Sequence, residues 1–165
     1  NYKDAFARDM FILSFYLFGM NTRDLFDCPA PVFGRIEYNR GKTKGRREDQ
    51  AFISIKIEPE AQAIIDKYKG KKTLLDLKDF VSFKEFNNIL NKRIKHIAPG
   101  LFFYMARHTW ATFARNKCDV SKDDVAMSLN HIDQVLKTTD TYIDPDWSII
   151  DRANRKVLDY VASIE

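Results

Sequence analysis

Apolar residues recur every three or four positions along most of the chain, and this spacing predicts a mainly helical fold. The first such stretch covers residues 2–19, where Gly19 is a suitable helix terminator. Similar patterns follow in the middle and the C-terminal part of the chain. The helices that they predict cover residues 59–68, 83–97, 105–117, 123–130 and 147–163, with a less regular helical pattern at 134–142.

Polar residues mark the starts and ends of several of these helices. Ser82 and Glu85 have the spacing of a capping box, in which each side chain binds the backbone amide of the other residue. Ser121 is placed to cap the helix that follows it. Pro99 and Gly100 are expected to end the helix that precedes them.

One region has the two-residue period of a β-strand instead. In the segment 51–57, every second residue is alanine or isoleucine, which is typical of a strand with one buried face. A second strand is expected at 35–40, joined to the first by a polar connection at 41–50. The predicted fold class is therefore mainly α with one small antiparallel β-hairpin.

Size and composition are those of one folded domain. The chain has 165 residues, of which 45% are hydrophobic and 13% aromatic, and this excludes an intrinsically disordered protein. Its net charge of +4 permits a polyanionic partner without requiring one. Cys28 and Cys118 form neither a disulfide framework nor a metal motif, so a reducing cytoplasm is expected. No apolar stretch has the length of a membrane span.

Three reactive side chains, Arg107, His131 and Tyr142, lie in the stretch 101–145. A tyrosine hydroxyl can attack a phosphodiester, while a guanidinium and an imidazole can stabilise the negative charge that develops on the phosphate. Such chemistry needs no metal and no organic cofactor. A metallonuclease is the least favoured class, because no group of carboxylates and histidines has convincing metal-ligand spacing.

The residues around these side chains resemble three motifs of the tyrosine recombinases, the phage-integrase family. The sequence Y-M-A-R-H-T-W-A-T at 104–112 resembles the motif H-x-x-R-H-T-x-A-T. The sequence L-N-H at 129–131 is similar to L-G-H, and T-T-D-T-Y at 138–142 is similar to T-T-x-x-Y. Asn130 replaces the usual glycine and tolerates the left-handed backbone of such a turn. The resemblance implies the recombinase catalytic-domain fold over residues 1–165.

The resemblance also implies a function, that of a site-specific DNA recombinase or integrase that cleaves and rejoins DNA. Tyr142 is expected to form a 3′-phosphotyrosyl intermediate, while Arg107 and His131 stabilise the transition state. Lys42, in the predicted hairpin connection, corresponds to the family's lysine that protonates the leaving 5′-oxygen. Tyr104 stands where histidine is commonest in the family, and it can donate a hydrogen bond there.

The main departure from the family lies in the sequence G-M-N-T-R-D-L at 19–25, which is similar to the motif G-x-R-x-x-E-L. Asn21 stands where the family has a phosphate-binding arginine, and Asp24 replaces the glutamate. Arg23 is less suitable as a replacement, because two residues turn a helix by about 200°. Arg35, Arg40 or an arginine further along the chain can also be considered, and the residue pattern does not distinguish among them.

The expected partner is double-stranded DNA, bound through its phosphate backbone. The residues expected to contact it are Arg40, Lys42, Lys44, Arg46 and Arg47. The family acts as a synaptic tetramer on DNA, and the segment from Trp147 onward is a candidate contact with a neighbouring subunit. Because the sequence enters a helix directly after Asn1, we expect a fragment of a longer integrase that lacks the family's core-binding domain. A cytoplasmic, nucleoid-associated location follows.

Two alternative functions remain open at the level of the sequence. A type IB topoisomerase-like enzyme uses the same chemistry to relax supercoiled DNA. A non-catalytic DNA-binding relative of the recombinases would bind DNA without forming a covalent adduct, and the loss of arginine at Asn21 is consistent with it.

Overall fold

The computed structural model describes residues 2–41, 45, 49–131 and 143–164, and it is mainly helical with one two-stranded antiparallel sheet. The coarse fold class is thus confirmed, while the predicted helical segment 134–142 lies outside the described residues. Within these ranges, no helix combines the length and apolar character needed to cross a lipid bilayer. In chain order the elements are α1 (Tyr2–Tyr16), α2 (Thr22–Phe26), β1 (Arg35–Asn39), β2 (Phe52–Lys56), α3 (Pro59–Tyr68), a short 3-10 helix (Leu77–Asp79), α4 (Phe83–Ile97), α5 (Met105–Asn116), α6 (Lys122–Ser128) and α7 (Trp147–Ile164).

Helix α1 lies at the centre of the helical packing. It contacts α3, α4 and α5, and its fully buried residues Met10 and Leu13 lie on the face that these helices cover. The helix ends at Tyr16, because Phe18 and Gly19 adopt a left-handed backbone with φ of 61° and 67°. The predicted helix was therefore three residues too long, and Gly19 belongs to the turn that follows it.

The predicted helix caps are present. The Ser82 hydroxyl accepts a hydrogen bond from the amide of Glu85, and the Glu85 carboxylate accepts one from the amide of Ser82 at 3.0 Å. The Ser121 hydroxyl accepts a hydrogen bond from the amide of Asp124 at 3.0 Å and so caps α6. After α4, Gly100 adopts a φ of 88°, which favours glycine. The boundaries of α4 and α6 are therefore set by local sequence.

Strands β1 and β2 form the predicted antiparallel hairpin. Ile53 and Ile55 of β2 are buried, as the alternating pattern predicts. Ser54 lies between them and is buried as well, which the pattern of one buried face did not predict. Its hydroxyl accepts a hydrogen bond from Arg35 at 2.7 Å and donates one to Glu37 at 3.0 Å. These two charged side chains of β1 cover the second face at this point.

A buried hydrogen-bonded network joins three helices. The indole N–H of Trp110, on α5, donates to the side-chain oxygen of Asn154, on α7, at 2.8 Å. The side-chain amide of Asn154 in turn donates to the carbonyl oxygen of Tyr16, at the end of α1, at 2.9 Å. Trp110 is completely buried. Asn154 therefore satisfies two polar groups of the core and fixes α7 against α5 and α1.

Replacing Asn154 by leucine is expected to destabilise the fold. The variant removes the acceptor of the Trp110 N–H and a donor to the Tyr16 carbonyl, and each such loss at a buried polar group costs about 1–3 kcal/mol, so a loss of about 2–6 kcal/mol is expected. Urea unfolding measures it. Arg152→Leu, at an exposed position of the same helix, is the control and should change stability by less than about 0.5 kcal/mol. Equal losses in the two variants would contradict the role of Asn154.

Candidate functional site

Arg107 is the centre of the candidate site. It lies on α5, and only 7% of its surface is exposed. Its Nη2 atom donates a hydrogen bond to the carbonyl oxygen of Leu129, and its Nη1 atom donates one to the carbonyl oxygen of Gly19 at 3.4 Å. The guanidinium is therefore held between the turn after α1 and the end of α6.

Gly19 packs directly on the backbone of Arg107. A β-carbon added at position 19 would lie 2.1 Å from Cα and 2.4 Å from Cβ of Arg107, which is far too close. The φ of 67° at Gly19 also favours glycine. The absence of a side chain lets α5 approach the turn, and this approach brings the guanidinium to the Gly19 carbonyl.

His131 lies beside the Arg107 guanidinium. The Nε2 atom of its ring is 3.3 Å from Nη2 of Arg107. The chain reaches this position through Asn130, whose φ of 52° confirms the expected left-handed turn. The turn is closed by a hydrogen bond of 2.8 Å from the amide of His131 to the carbonyl oxygen of Ala126. Two of the sequence-predicted site residues thus come together.

The carbonyl oxygen of Ala51 joins this histidine turn to the β-hairpin. It accepts a hydrogen bond from the side-chain amide of Asn130 at 2.8 Å and another from the backbone amide of Arg40 at 3.0 Å. All three residues are buried. The sequence did not predict this contact, because every residue has a backbone carbonyl and the residue type does not indicate which group binds it. The contact holds Arg40 next to the segment that carries His131.

Arg40 and Arg107 place two positive charges in the same buried region. Both are more than nine-tenths buried. Burial lowers the pKa of Arg107, and repulsion by the charge of Arg40 lowers it further. An arginine nevertheless keeps its charge near neutral pH. Two cations that repel each other in the protein interior form a site that attracts an anion.

Asp24 is the acidic residue next to these cations. Its carboxylate accepts hydrogen bonds from the amide of Gly41 at 3.0 Å and from the side-chain amide of Asn21 at 2.6 Å. Burial raises the pKa of the Asp24 carboxyl, and these hydrogen bonds and the charges of Arg40 and Arg107 oppose that effect. Asp24 thereby ties the start of the hairpin connection to α2.

Asn21 has a structural role at the position where the family has arginine. Its side-chain oxygen accepts a hydrogen bond from the amide of Asp24 at 2.9 Å, so it caps the N-terminus of α2. Its side-chain nitrogen donates to the carboxylate of the same residue. Both polar atoms thus take part in the helix start, and Asn21 carries no charge with which to replace that arginine.

Of the three arginines named above as possible replacements, two bind carboxylates outside the site. Arg23 donates from Nε to the carboxylate of Asp27 at 2.6 Å, on the exposed side of α2. Arg35 binds the carboxylate of Asp151 through two nitrogens, at 2.8 Å and 3.2 Å, and so joins β1 to α7. Of the three, Arg40 is the one that lies in the site.

Tyr104 lies immediately before α5, at the N-cap position, and its carbonyl oxygen accepts a hydrogen bond from the amide of Arg107 at 3.1 Å. With 43% of its surface exposed, it is open to a ligand from solvent. Its ring packs edge-on against that of His108, with the ring centres 5.0 Å apart. Tyr104 is therefore at the outer edge of the site, where its phenol can donate a hydrogen bond.

The other sequence-predicted site residues lie outside the described part of the chain, and their contacts with the site stay predictions. They belong to the hairpin connection and to the segment after His131. They are Lys42, Lys44, Arg46, Arg47 and the nucleophile candidate Tyr142.

Comparisons with family models, curated proteins and solved structures found no match to this chain. The relationship to the tyrosine recombinases therefore stays a prediction that rests on the motifs. In the described ranges, no group of three or more histidine, cysteine, aspartate or glutamate residues could hold a metal ion.

Replacing Gly19 by alanine tests whether close packing positions Arg107. We expect the free energy of unfolding to fall by about 2–5 kcal/mol, since a left-handed alanine costs about 1–2 kcal/mol and overpacking adds about 1–3 kcal/mol. Gly34→Ala is the matched control, because Gly34 has a φ of 74° but no atom within 4 Å of the added carbon. In Gly34→Ala, the free energy of unfolding should fall only by the conformational cost of a left-handed alanine. Equal costs, measured by urea unfolding, would show that packing on Arg107 is unimportant.

Proposed function

We propose that this chain is the catalytic domain of a tyrosine-type site-specific DNA recombinase, which acts through a 3′-phosphotyrosyl intermediate. The observation that carries the proposal is the contact between Arg107 and His131. These residues are 24 positions apart in the sequence, yet Nη2 of one lies 3.3 Å from Nε2 of the other. They come from two separate motifs, and a chance resemblance of either motif would not bring the two side chains together.

The contact suits the stabilisation of a phosphoryl transition state. A guanidinium offers a planar set of N–H donors that matches two phosphate oxygens. Its two carbonyl acceptors at Gly19 and Leu129 hold Arg107 in place before DNA binds, so little reorganisation is needed during the reaction. The imidazole of His131 adds a further donor for the charge on the non-bridging oxygens.

The proposed reaction conserves the phosphodiester bond energy. The hydroxyl oxygen of Tyr142 gives its proton to water and attacks the phosphorus, and the bond from phosphorus to the 5′-oxygen breaks. Lys42 gives a proton to that leaving oxygen and regains one from water, so the number of protons is unchanged. The product is a 3′-phosphotyrosine. A 5′-hydroxyl of another strand can attack it, which reforms a phosphodiester and releases the tyrosine. Neither ATP nor a metal ion takes part in these steps.

The hairpin is the proposed contact with the DNA backbone. Asp24 and the Ala51 carbonyl anchor its base through Gly41 and Arg40, and the basic residues of its connection follow directly. DNA is thus the partner, further subunits complete a synaptic tetramer, and the protein acts in the nucleoid. Because such binding releases counterions from DNA, its affinity should fall steeply as salt is added.

A non-catalytic DNA-binding relative is the second candidate. It is favoured by Asn21, which caps α2 where the family has a phosphate-binding arginine. This candidate predicts DNA binding with the same salt dependence but no covalent adduct.

Replacing Tyr142 by phenylalanine is expected to abolish adduct formation, because no nucleophilic oxygen remains at that position. The chain is incubated with a randomised library of nicked DNA duplexes, and protein–DNA adducts that survive detergent are captured and sequenced. Tyr160→Phe, which removes a hydroxyl from α7, is the control and should form adducts as the wild type does.

Each other outcome of this experiment has a definite meaning. Undiminished adduct in Tyr142→Phe would reject the assignment of the nucleophile. Salt-sensitive DNA binding by a wild-type chain that forms no adduct would favour the non-catalytic relative. Adducts at unrelated sequences, together with relaxation of a supercoiled plasmid, would favour a topoisomerase-like activity.

A further inference from the structure

Arg40 is a buried arginine with an unused hydrogen-bond donor. Its Nε atom is buried and has no partner among the described residues. The residue itself is 6% exposed. Arginine is almost never buried in this way unless its donors are paired. The unused donor therefore indicates that a ligand completes the site.

The surroundings of Arg40 indicate the charge of that ligand. Arg40 and Arg107 are both more than nine-tenths buried, and repulsion between their like charges lowers the pKa of Arg107. The neighbouring acid, Asp24, directs its carboxylate to the amide of Gly41 and to Asn21. Among the described residues, Asp24 is the carboxylate that interacts with both guanidiniums, so two positive charges face one negative charge. The excess of positive charge favours an anion as the missing group.

The backbone fixes where Arg40 stands relative to the other donors. Its amide shares the Ala51 carbonyl with the side chain of Asn130. Asn130 directly precedes His131, whose ring contacts Arg107. Three segments that are distant in sequence thus bring two guanidiniums and one imidazole to the same part of the molecule.

We propose that Arg40 is a phosphate-binding residue of this site and that it supplies to the reacting phosphodiester the positive charge that Asn21 does not supply. The inference rests on the proposed function for the identity of the ligand, a DNA phosphate. The anion site itself rests only on burial and contacts. Arg40, which directly follows β1, thus provides the phosphate contact that the family's arginine provides at the start of α2.

Titration with inorganic phosphate tests the inference without DNA. Nitrogen–proton NMR spectra of the arginine side chains report the Nε–H group of Arg40 in the wild-type chain. Phosphate should shift the Arg40 and Arg107 resonances with one common dissociation constant, and it should leave the exposed Arg23 unchanged. Sodium chloride at equal ionic strength is the blank. No shift at Arg40, or the same shift with chloride, would overturn the proposal.

Arg40→Met tests the contribution of the guanidinium. Phosphate affinity should fall by about tenfold or more, as expected for the loss of a charge-assisted hydrogen bond, while Arg23→Met keeps wild-type affinity. Without phosphate, Arg40→Met should have a raised Tm, because a buried charge without a partner is removed. Wild-type phosphate affinity in Arg40→Met would overturn the proposal. Should that variant not fold, Arg40→Lys, which keeps the charge but loses the Nε donor, takes its place.

The two proposals fail in different experiments. Tyr142→Phe should bind phosphate as the wild type does although it forms no adduct. A chain that forms no adduct with any DNA would reject the recombinase, and the phosphate titration would still decide the role of Arg40. If adducts form and Arg40→Met forms them at the wild-type rate, the recombinase stands and the role of Arg40 is rejected.

Discussion

The burial of the Arg107 guanidinium is the constraint on which the rest of this structure depends. A buried charge is costly unless its donors are satisfied, and here two backbone carbonyls, at Gly19 and Leu129, accept hydrogen bonds from two of the five N–H donors. Backbone carbonyls are neutral, so they satisfy the hydrogen bonds without cancelling the charge. The positive charge therefore remains available to a ligand, which a salt bridge with a carboxylate would prevent.

This constraint explains several features of the fold that otherwise look unrelated. Gly19 has no side chain because α5 lies against its Cα. Asn130 adopts a left-handed turn that returns the chain to Arg107 and presents His131. The hairpin is attached to the same place through the Ala51 carbonyl. The network of Trp110 and Asn154 then joins α5, which carries Arg107, to α1 and α7.

Local signals in the sequence predicted the coarse fold class and several helix boundaries. The capping box at Ser82 and the alternation around Ile53 depend on neighbours in the chain, and both are present in the structure. The burial of Ser54 was missed, because it depends on charged residues of the paired strand. The early end of α1 was missed because Phe18 has the apolar character of a helix residue but a left-handed backbone.

The candidate site was predictable only in part. The motifs identified Arg107 and His131, which the structure brings together. The structural role of Asn21 and the burial of Arg40 were not visible in the sequence, because each depends on contacts with another residue's backbone or carboxylate. A sequence pattern assigns a charge to a position, but three-dimensional contacts decide whether that charge is already neutralised. Arg23 and Arg35 are neutralised by carboxylates, whereas no carboxylate of the described residues forms an ion pair with Arg40.

The most direct test of the central claim is a crystal structure of this chain grown with tungstate, an oxyanion that is easily located by its scattering. We expect one tungstate within hydrogen-bond distance of the guanidiniums of Arg107 and Arg40 and of the imidazole of His131. A site that stays empty at saturating tungstate, with Arg40 paired to Asp24 instead, would contradict it.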